Sequence, residues 1–411
     1  MHILLLSAGK VLKTPFGGED IFTRLLGKWL AQMHHEVTLM GIEFAGIRVR
    51  HLTHDNLKDE RIIKVRTKKN KTKKFGLGYL FYSLRTVIWL FQVLKIVLIN
   101  IKDPINIIHA QDSGYTGLAA IIAGKILDIP VIVSLLGIRY EQIESNPYIN
   151  ETLKRLALKI EYKLDVFTLS NANAVTIVSP TMKYYVEKVA PKSIIVSIPI
   201  AIKIKNFQFS ELKRELLRRE LKIDDKSIII GYVGRLSHEK NLHTLLNSFA
   251  EAVMNDSSLK LVLVGKGPLE FELKRQALDM HVEDKVIFCG FRDDISNLLS
   301  SFDIFVLPSF IEGTSNALIE AMACGRAIIC SDISANREIV TNDKEALMIN
   351  PNDRDGLKEA ILSLSSDEKL RSRLGHNAKI NAEQYDEDII FPKFLQYYQD
   401  LSKKLQGQKN F

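Results

Sequence analysis

Cysteine is scarce in this chain. Its 411 residues hold three, Cys289, Cys324 and Cys330. Three thiols so far apart exclude a disulfide framework and a CxxC metal site, and they read as small, buried, reduced side chains. The opening MHILLLSAGK lacks the basic start and the longer apolar run of a signal peptide and is expected to be a buried strand. A membrane-spanning run is missing too. The most lipid-like stretch, 75–101, is interrupted by Arg85 and Lys95, which leaves its uncharged runs short of the ~18–20 residues a spanning helix needs. A cytoplasmic protein is expected, at most peripheral on the inner face of the cell membrane. The ten histidines form no metal-spaced cluster, so no metal site is expected. Acidic residues are absent from 64–74 (KVRTKKNKTKK), which carries Lys64, Arg66, Lys68, Lys69, Lys71, Lys73 and Lys74. Removing these seven from the net charge of +8 leaves +1, so the chain is near neutral apart from one basic segment. Charge that local, without interleaved aromatics, argues against a nucleic-acid partner.

What is present is an ordinary globular composition, 46% hydrophobic and 25% charged, which excludes a disordered or collagen-like chain. The length exceeds the ~250–300 residues at which single cores stop growing, so two domains are expected. Short apolar runs (HILLLS, EVTLMGI, INIIHAQ, VIVSLLG, AVTIVSP, SIIVSIPI) alternate with helical periodicity through the first half. The same pattern returns in the second half with SIIIGYVG, LKLVLVG, KVIFCGF, DIFVLPS, RAIICSD and EALMIN. Strands apolar on both faces and separated by helices form parallel sheets covered on both sides. The fold class is therefore α/β, two doubly wound Rossmann-like domains facing a central cleft. The expected limits are 1–205 for an acceptor-side domain and 206–380 for a donor-binding domain. A C-terminal helix in 381–411 is expected to pack back toward the first domain. Ligands of such sheets sit at the carboxyl ends of the strands.

Three pieces of the second half carry chemistry. In GYVGRLSHEKN, Gly234 permits close backbone approach at a strand-to-helix turn. Arg235 and Lys240 place two cations beside a helix start, which suits a diphosphate. The same residues read equally as surface charges at a βα turn. In EGTSNALIE, Glu312 falls in a loop, Thr314, Ser315 and Asn316 are natural helix caps, and Glu320 lies in the helix that follows. Paired carboxylates there suit the hydroxyls of a ribose or a sugar ring, and a capped helix with incidental acids is the plain alternative. Gly265-Lys266-Gly267-Pro268 is mostly turn geometry, with the shaping of a base pocket by Gly265 as the functional alternative.

Taken in order, GYVGRLSHEKN, LVLVGKGPLE, VIFCGF, DIFVLPSFIEGTSNALIEAMACGRAIICSD and NREIV resemble the donor domain of family 4 of the retaining GT-B glycosyltransferases. That superfamily is glycogen synthase-like and phosphatidylinositol mannosyltransferase-like. The likeness covers roughly residues 228–350, and several motifs in series are more specific than any one. It implies a GT-B fold and a nucleotide-sugar donor, with a glycan or glycolipid acceptor in cell-envelope synthesis. It also implies that Arg235 and Lys240 hold the donor diphosphate and that Glu320 bonds the ribose. Glu312 would contact the transferred sugar, with the backbone of Gly313, Thr314, Ser315 and Asn316 facing sugar and phosphate. Gly17 and Gly18, in Phe16-Gly17-Gly18-Glu19, resemble the family's glycine-rich loop or make a plain turn. No cofactor and no metal are implied, the two cations stabilising the departing diphosphate. Asp293-Asp294 is expected to begin a helix. Retention is implied to proceed by front-face transfer, the leaving phosphate taking the acceptor proton.

The chain departs from the family at two places. Leu136 stands where many members have histidine, with Arg139 nearby as a substitute contact, and Ile200-Ala201 stand where many have Asn-Gly. His109, at a strand end, is kept as a candidate facing the cleft. A nucleotide-sugar 2-epimerase of the same architecture and a non-catalytic nucleotide-binding protein are the competing readings. The basic segment reads as a solvated loop or as a contact with anionic membrane, at ~1 kcal/mol per basic residue. The apolar helix expected over 75–100 reads as an interfacial helix or as core.

Overall fold

The computed structural model describes residues 1–7, 18–43, 46–54, 93–144 and 150–409. Lys64–Lys74, Phe16 and Gly17 lie outside the described residues. The chain divides into two units, one of Met1–Glu144, Tyr148–Ala201 and Glu387–Phe411, the other built on Ile202–Asp386. The crossings fall a few residues from the expected limits of 205 and 381, for a local reason. Ile202 donates its N–H to the Tyr385 carbonyl at 3.0 Å and pairs with Asp386 in an isolated bridge, so the second unit closes on itself at that point.

In the first unit β1 (His2–Ser7), β2 (Glu36–Glu43), β3 (Gly46–Leu52), β4 (Ile107–Ala110), β5 (Val131–Leu135), β6 (Ala174–Ile177) and β7 (Ile195–Ser197) form one sheet. Its order is β3-β2-β1-β4-β5-β6-β7. All pairs are parallel except β2 with β3. The sheet is buried along β1, β4, β5 and β6, which is why those strands are unbroken apolar runs. β3 is not legible in the sequence. GIRVRHL alternates charge with apolar residues, as edge strands do, and Val49, Arg50 and Leu52 are buried among its described side chains. Of the helix expected over 75–100, the described part runs 93–102. Val93, Ile96 and Ile99 face the core, while Leu94, Leu98 and Ile101 are exposed.

The last helix, Glu387–Lys409, belongs to this unit. Phe391 and Phe394 each meet Phe22 of helix Gly18–Gln32 edge-on at 5.7 Å, and Trp29 Nε1 donates to Asp388 Oδ1 at 3.2 Å. Aromatic pairs in that geometry add to the stabilisation from burial.

The second unit holds β8 (Ile228–Val233), β9 (Leu259–Val264), β10 (Val286–Gly290), β11 (Ile304–Leu307), β12 (Ala327–Ser331) and β13 (Leu347–Ile349). They form an all-parallel sheet of order β10-β9-β8-β11-β12-β13. The direction of winding reverses between β8 and β11, as it does between β1 and β4 in the first sheet. Such switch points leave a crevice at the carboxyl edge of each sheet.

Helix Glu211–Glu220 precedes β8 and is also hidden in the sequence, because seven of the ten residues in ELKRELLRRE are charged. Ser210 caps it by accepting from the Lys213 N–H. Arg218, only 2% exposed, anchors the inner face. It donates to Asp303 Oδ2 at 2.8 Å and to the carbonyls of Asp224, Asp225 and Ser227 at 3.1 Å. Such a buried guanidinium is tolerated because both terminal nitrogens find acceptors, while Nε is left without a partner.

Candidate active site

The loops that leave the carboxyl ends of β8, β9 and β11 carry the residues marked by sequence. After β8 the chain passes Gly234, where a Cβ would lie 2.4 Å from the Tyr232 hydroxyl. That hydroxyl, on a fully buried ring, donates to the Arg235 carbonyl at 2.8 Å and so shapes the turn. Gly265, after β9, has φ 135°, and a Cβ on it would lie 1.8 Å from the Gly234 carbonyl oxygen. The two glycines let neighbouring turns touch through bare backbone, so Gly265 is accounted for by packing.

The β8 turn continues through a 3-10 turn, His238–Lys240, into helix Leu242–Asn255, with Asn241 in the left-handed region at φ 54°. The Phe310 N–H donates to the Glu239 carbonyl at 2.9 Å, which stitches the loop after β11 to this turn. The stitch brings Lys240 Nζ to 2.7 Å from Glu312 Oε1, and the Ser309 hydroxyl donates to the same oxygen at 2.6 Å. The side chains of Glu312 and Lys240 are 7% and 19% exposed. An ion pair so shielded holds its geometry better than a surface pair does. Arg235 is exposed and makes no ion pair among the described residues.

Gly313 and Thr314 lead to Ser315, which caps helix Asn316–Ala323 by accepting from the Leu318 N–H at 3.4 Å. Asn316 Oδ1 is buried without a hydrogen-bond partner. Glu320 lies one turn on, buried, and desolvation pushes its carboxyl up to about 7. Among the described residues its carboxyl has no side-chain partner. A helix N-terminus, a Lys–Glu pair and a buried carboxyl with unused acceptors thus share one strand edge, an arrangement suited to phosphate and sugar hydroxyls. Asp294 begins helix Ile295–Ser301, and its carboxylate is taken up by Arg292, with Nε at 2.7 Å from Oδ1. Ser309 and Tyr232 escape a reading of the sequence. Their signal is faint, a serine three residues before Glu312 and a tyrosine two before Gly234.

In the first unit the outcome is mixed. Gly17 is outside the described residues, and Gly18 is the first residue of helix Gly18–Gln32. Leu136 is half-buried and packs with Ile138 against the first core, so an apolar contact occupies the place where the resemblance led to an expected histidine. Ile200 and Ala201 are buried as the first unit ends. Arg139 starts helix Arg139–Glu144. Two expectations are corrected. His109 faces no opening: it is fully buried on β4, with Nδ1 2.6 Å from the Tyr398 hydroxyl and Nε2 2.7 Å from Ser134 Oγ. Burial lowers its pKa to about 3, so it is a neutral core residue. The absence of a metal-type cluster also fails, because His2, His51 and Asp103 place ligand atoms within 4.8 Å of one another. Residues 49 and 52 positions apart meet only through sheet pairing.

Two doubly wound sheets of this kind define a class of α/β proteins with two Rossmann-like units. The particular family follows from comparison with known proteins. The model for glycosyl transferases group 1 matches residues 213–381, and that for Glycosyltransferase Family 4 matches 16–204. The chain belongs to family 4 of the GT-B glycosyltransferases. It is 29% identical over 349 residues to the N,N'-diacetylbacillosaminyl-diphospho-undecaprenol alpha-1,3-N-acetylgalactosaminyltransferase of Campylobacter jejuni, covering 82% of this chain and 89% of that one. It is 28% identical over 298 residues to the UDP-Gal:alpha-D-GlcNAc-diphosphoundecaprenol alpha-1,3-galactosyltransferase of Escherichia coli, covering 71% and 73%. Among solved structures, sucrose-phosphate synthase from Thermosynechococcus elongatus superposes with TM-score 0.79 at 21% identity over 97% of this chain and 98% of that one. Anabaena HepE in complex with UDP does so with TM-score 0.73 at 20% identity over 97% and 100%. These two likenesses establish the GT-B fold. Among the described residues no helix is long and apolar enough to cross a membrane.

Proposed function

We propose that this glycosyltransferase moves a sugar, with retention and without a metal, from a nucleoside-diphosphate sugar to a lipid-linked or polysaccharide acceptor of the cell envelope. The observation that carries the reading is Glu320, a buried carboxyl with no side-chain partner among the described residues, on the helix that follows the loop holding the Lys240–Glu312 pair. Ribose hydroxyls donating to Glu320 would supply the hydrogen bonds that its burial withholds. Arg235 and Lys240 bind the diphosphate and offset the charge that grows on it as the glycosidic bond breaks. Glu312, held by Ser309 and Lys240, contacts the sugar. The acceptor hydroxyl attacks from the face that the diphosphate leaves. Its proton passes to the departing phosphate oxygen, so the protein need not supply a base. The Campylobacter and Escherichia relatives, both named for diphospho-undecaprenol acceptors, support a lipid-linked acceptor.

A lipid-linked acceptor calls for a membrane contact, which we place on the first unit. Helix Glu151–Asn171 exposes Leu153, Leu156, Tyr162 and Phe167 beside exposed Arg155, Lys159 and Lys163. That combination suits an anionic lipid surface, as does the basic segment Lys64–Lys74. Replacing Lys68, Lys69, Lys71, Lys73 and Lys74 with Gln is expected to weaken co-sedimentation with anionic liposomes, and unchanged binding would remove the segment from the interface.

The donor assignment is tested by thermal shift with UDP-, GDP- and ADP-sugars. One of them is expected to stabilise the chain by about 2.7 kcal/mol at about a hundredfold excess over Kd. Stabilisation by none would sink the reading.

A further inference from the structure

Five of the ten histidines, His2, His34, His35, His51 and His54, gather at the amino edge of the first sheet, opposite the carboxyl ends where ligands of such sheets bind. β1 begins at His2, β2 begins at Glu36, and antiparallel β3 ends at Leu52, so the three chain segments meet there. Asp103 follows the helix 93–102 and precedes β4 at the same edge.

The chemistry at the centre of this group is specific. His2 is 3% exposed, and its Nε2 lies 2.8 Å from Thr38 Oγ1. The same oxygen lies 2.8 Å from Nδ1 of His51. Either the threonine donates to one ring or both rings donate to its oxygen, and a metal ion on the two rings requires the second arrangement. There His2 Nδ1 is a bare lone pair. It lies 3.4 Å from Asp103 Oδ2, yet it is buried without a hydrogen-bond partner. An unprotonated nitrogen facing a carboxylate is acceptor against acceptor, a costly pairing in a buried place unless a cation lies between them.

We infer that His2, His51 and Asp103 bind one divalent transition-metal ion of the zinc type. Two imidazoles and one carboxylate suit such an ion, whereas calcium and magnesium take oxygen ligands. Three protein ligands leave a fourth position for water, and the half-exposed Asp103 side chain leaves a way in. Thr38 orients both rings from behind, as the outer partners of metal-bound histidines do. The ion would fasten β1, β3 and the loop before β4 to one another. It is a structural ion at the edge away from the transfer chemistry, so the inference stands or falls independently of the proposed function.

The test uses the full chain without a histidine tag, stripped with a chelator, dialysed and titrated with zinc sulfate in a calorimeter. The expected result is one ion per chain and a higher melting temperature. His51→Gln and Asp103→Asn should each weaken binding by more than about tenfold. His34→Gln and His54→Gln should leave it unchanged. Cobalt(II) added to the stripped wild type should give the visible d–d absorption of a four-coordinate site, a readout that needs no variant to fold. Absence of stoichiometric zinc binding, or binding indifferent to both His51→Gln and Asp103→Asn, would overturn the inference.

Discussion

His109 and Glu320 are both ionisable side chains sealed inside a doubly wound unit, and they answer burial in opposite ways. On β4 of the first unit, His109 has both ring nitrogens engaged, by Tyr398 and Ser134, and burial holds it neutral. Every polar atom of the ring is matched within the protein, so nothing remains to offer a ligand. Glu320, at the carboxyl edge of the second sheet, suffers the same desolvation, which raises its carboxyl to about 7, but has no side-chain partner among the described residues. A buried polar group that is fully paired serves the fold, and under the proposed function Glu320 stays unpaired until a ligand supplies its hydrogen bonds. The two units share a topology, and the bonding of their buried ionisable groups tells them apart in function.

The contrast breaks first at Glu312. Glu312→Gln keeps an acceptor for Ser309 but removes the charge opposite Lys240. Transfer is expected to fall by about a hundredfold or more, with nucleotide affinity little changed. Steady-state kinetics beside calorimetric titration with the nucleotide checks this, and an equal loss in both would place Glu312 in binding alone. His109→Ala should do the reverse. It leaves the Tyr398 hydroxyl without its partner and opens a cavity, costing about 2–4 kcal/mol in denaturant unfolding, with nucleotide affinity unaltered. A large loss of affinity in the folded variant would restore His109 to the site.

Glu320→Gln gives the subtlest result, and its sign follows from the shift. The folded carboxyl holds its proton more tightly than the unfolded one does. Its contribution to stability is therefore complete below the ordinary value of 4.5 and is lost as pH rises to about 7. Wild type should lose at most about 3 kcal/mol over that window from this group, a loss that the Glu320→Gln variant does not show. A nucleotide sugar has no phosphate proton titrating near neutrality, so its affinity for wild type should fall as pH drops below about 7. Glu320→Gln should bind it more weakly and without that dependence. Parallel pH profiles for the two proteins would detach Glu320 from the ligand.

Much of this was legible in the sequence. Parallel sheets announce themselves as apolar runs because both faces are covered, and the donor loops stand out because glycine, cap residues and charges recur at strand ends in a fixed order. Ser315 capping and the start of a helix at Asp294 follow from local hydrogen bonding alone. Elements that depend on one neighbour only escaped notice. β3 pairs with β2 alone, and helix Glu211–Glu220 is secured by Arg214 and Arg218 reaching Asp303. The placement of His109 failed because a strand-end histidine reads the same whether it faces solvent or a distant tyrosine.

The sequence by itself determined the α/β class, the two-domain division and the family, since these rest on periodicity and on motifs confined to short stretches. Only the tertiary structure decided which polar groups are satisfied. Tyr398 lies 289 residues from His109, Glu312 lies 72 from Lys240, and Thr38 lies 36 from His2. Chain order says nothing about such pairs. Sheet pairing and helix return bring them together, and that meeting sets whether a buried group serves the fold or remains available to a ligand.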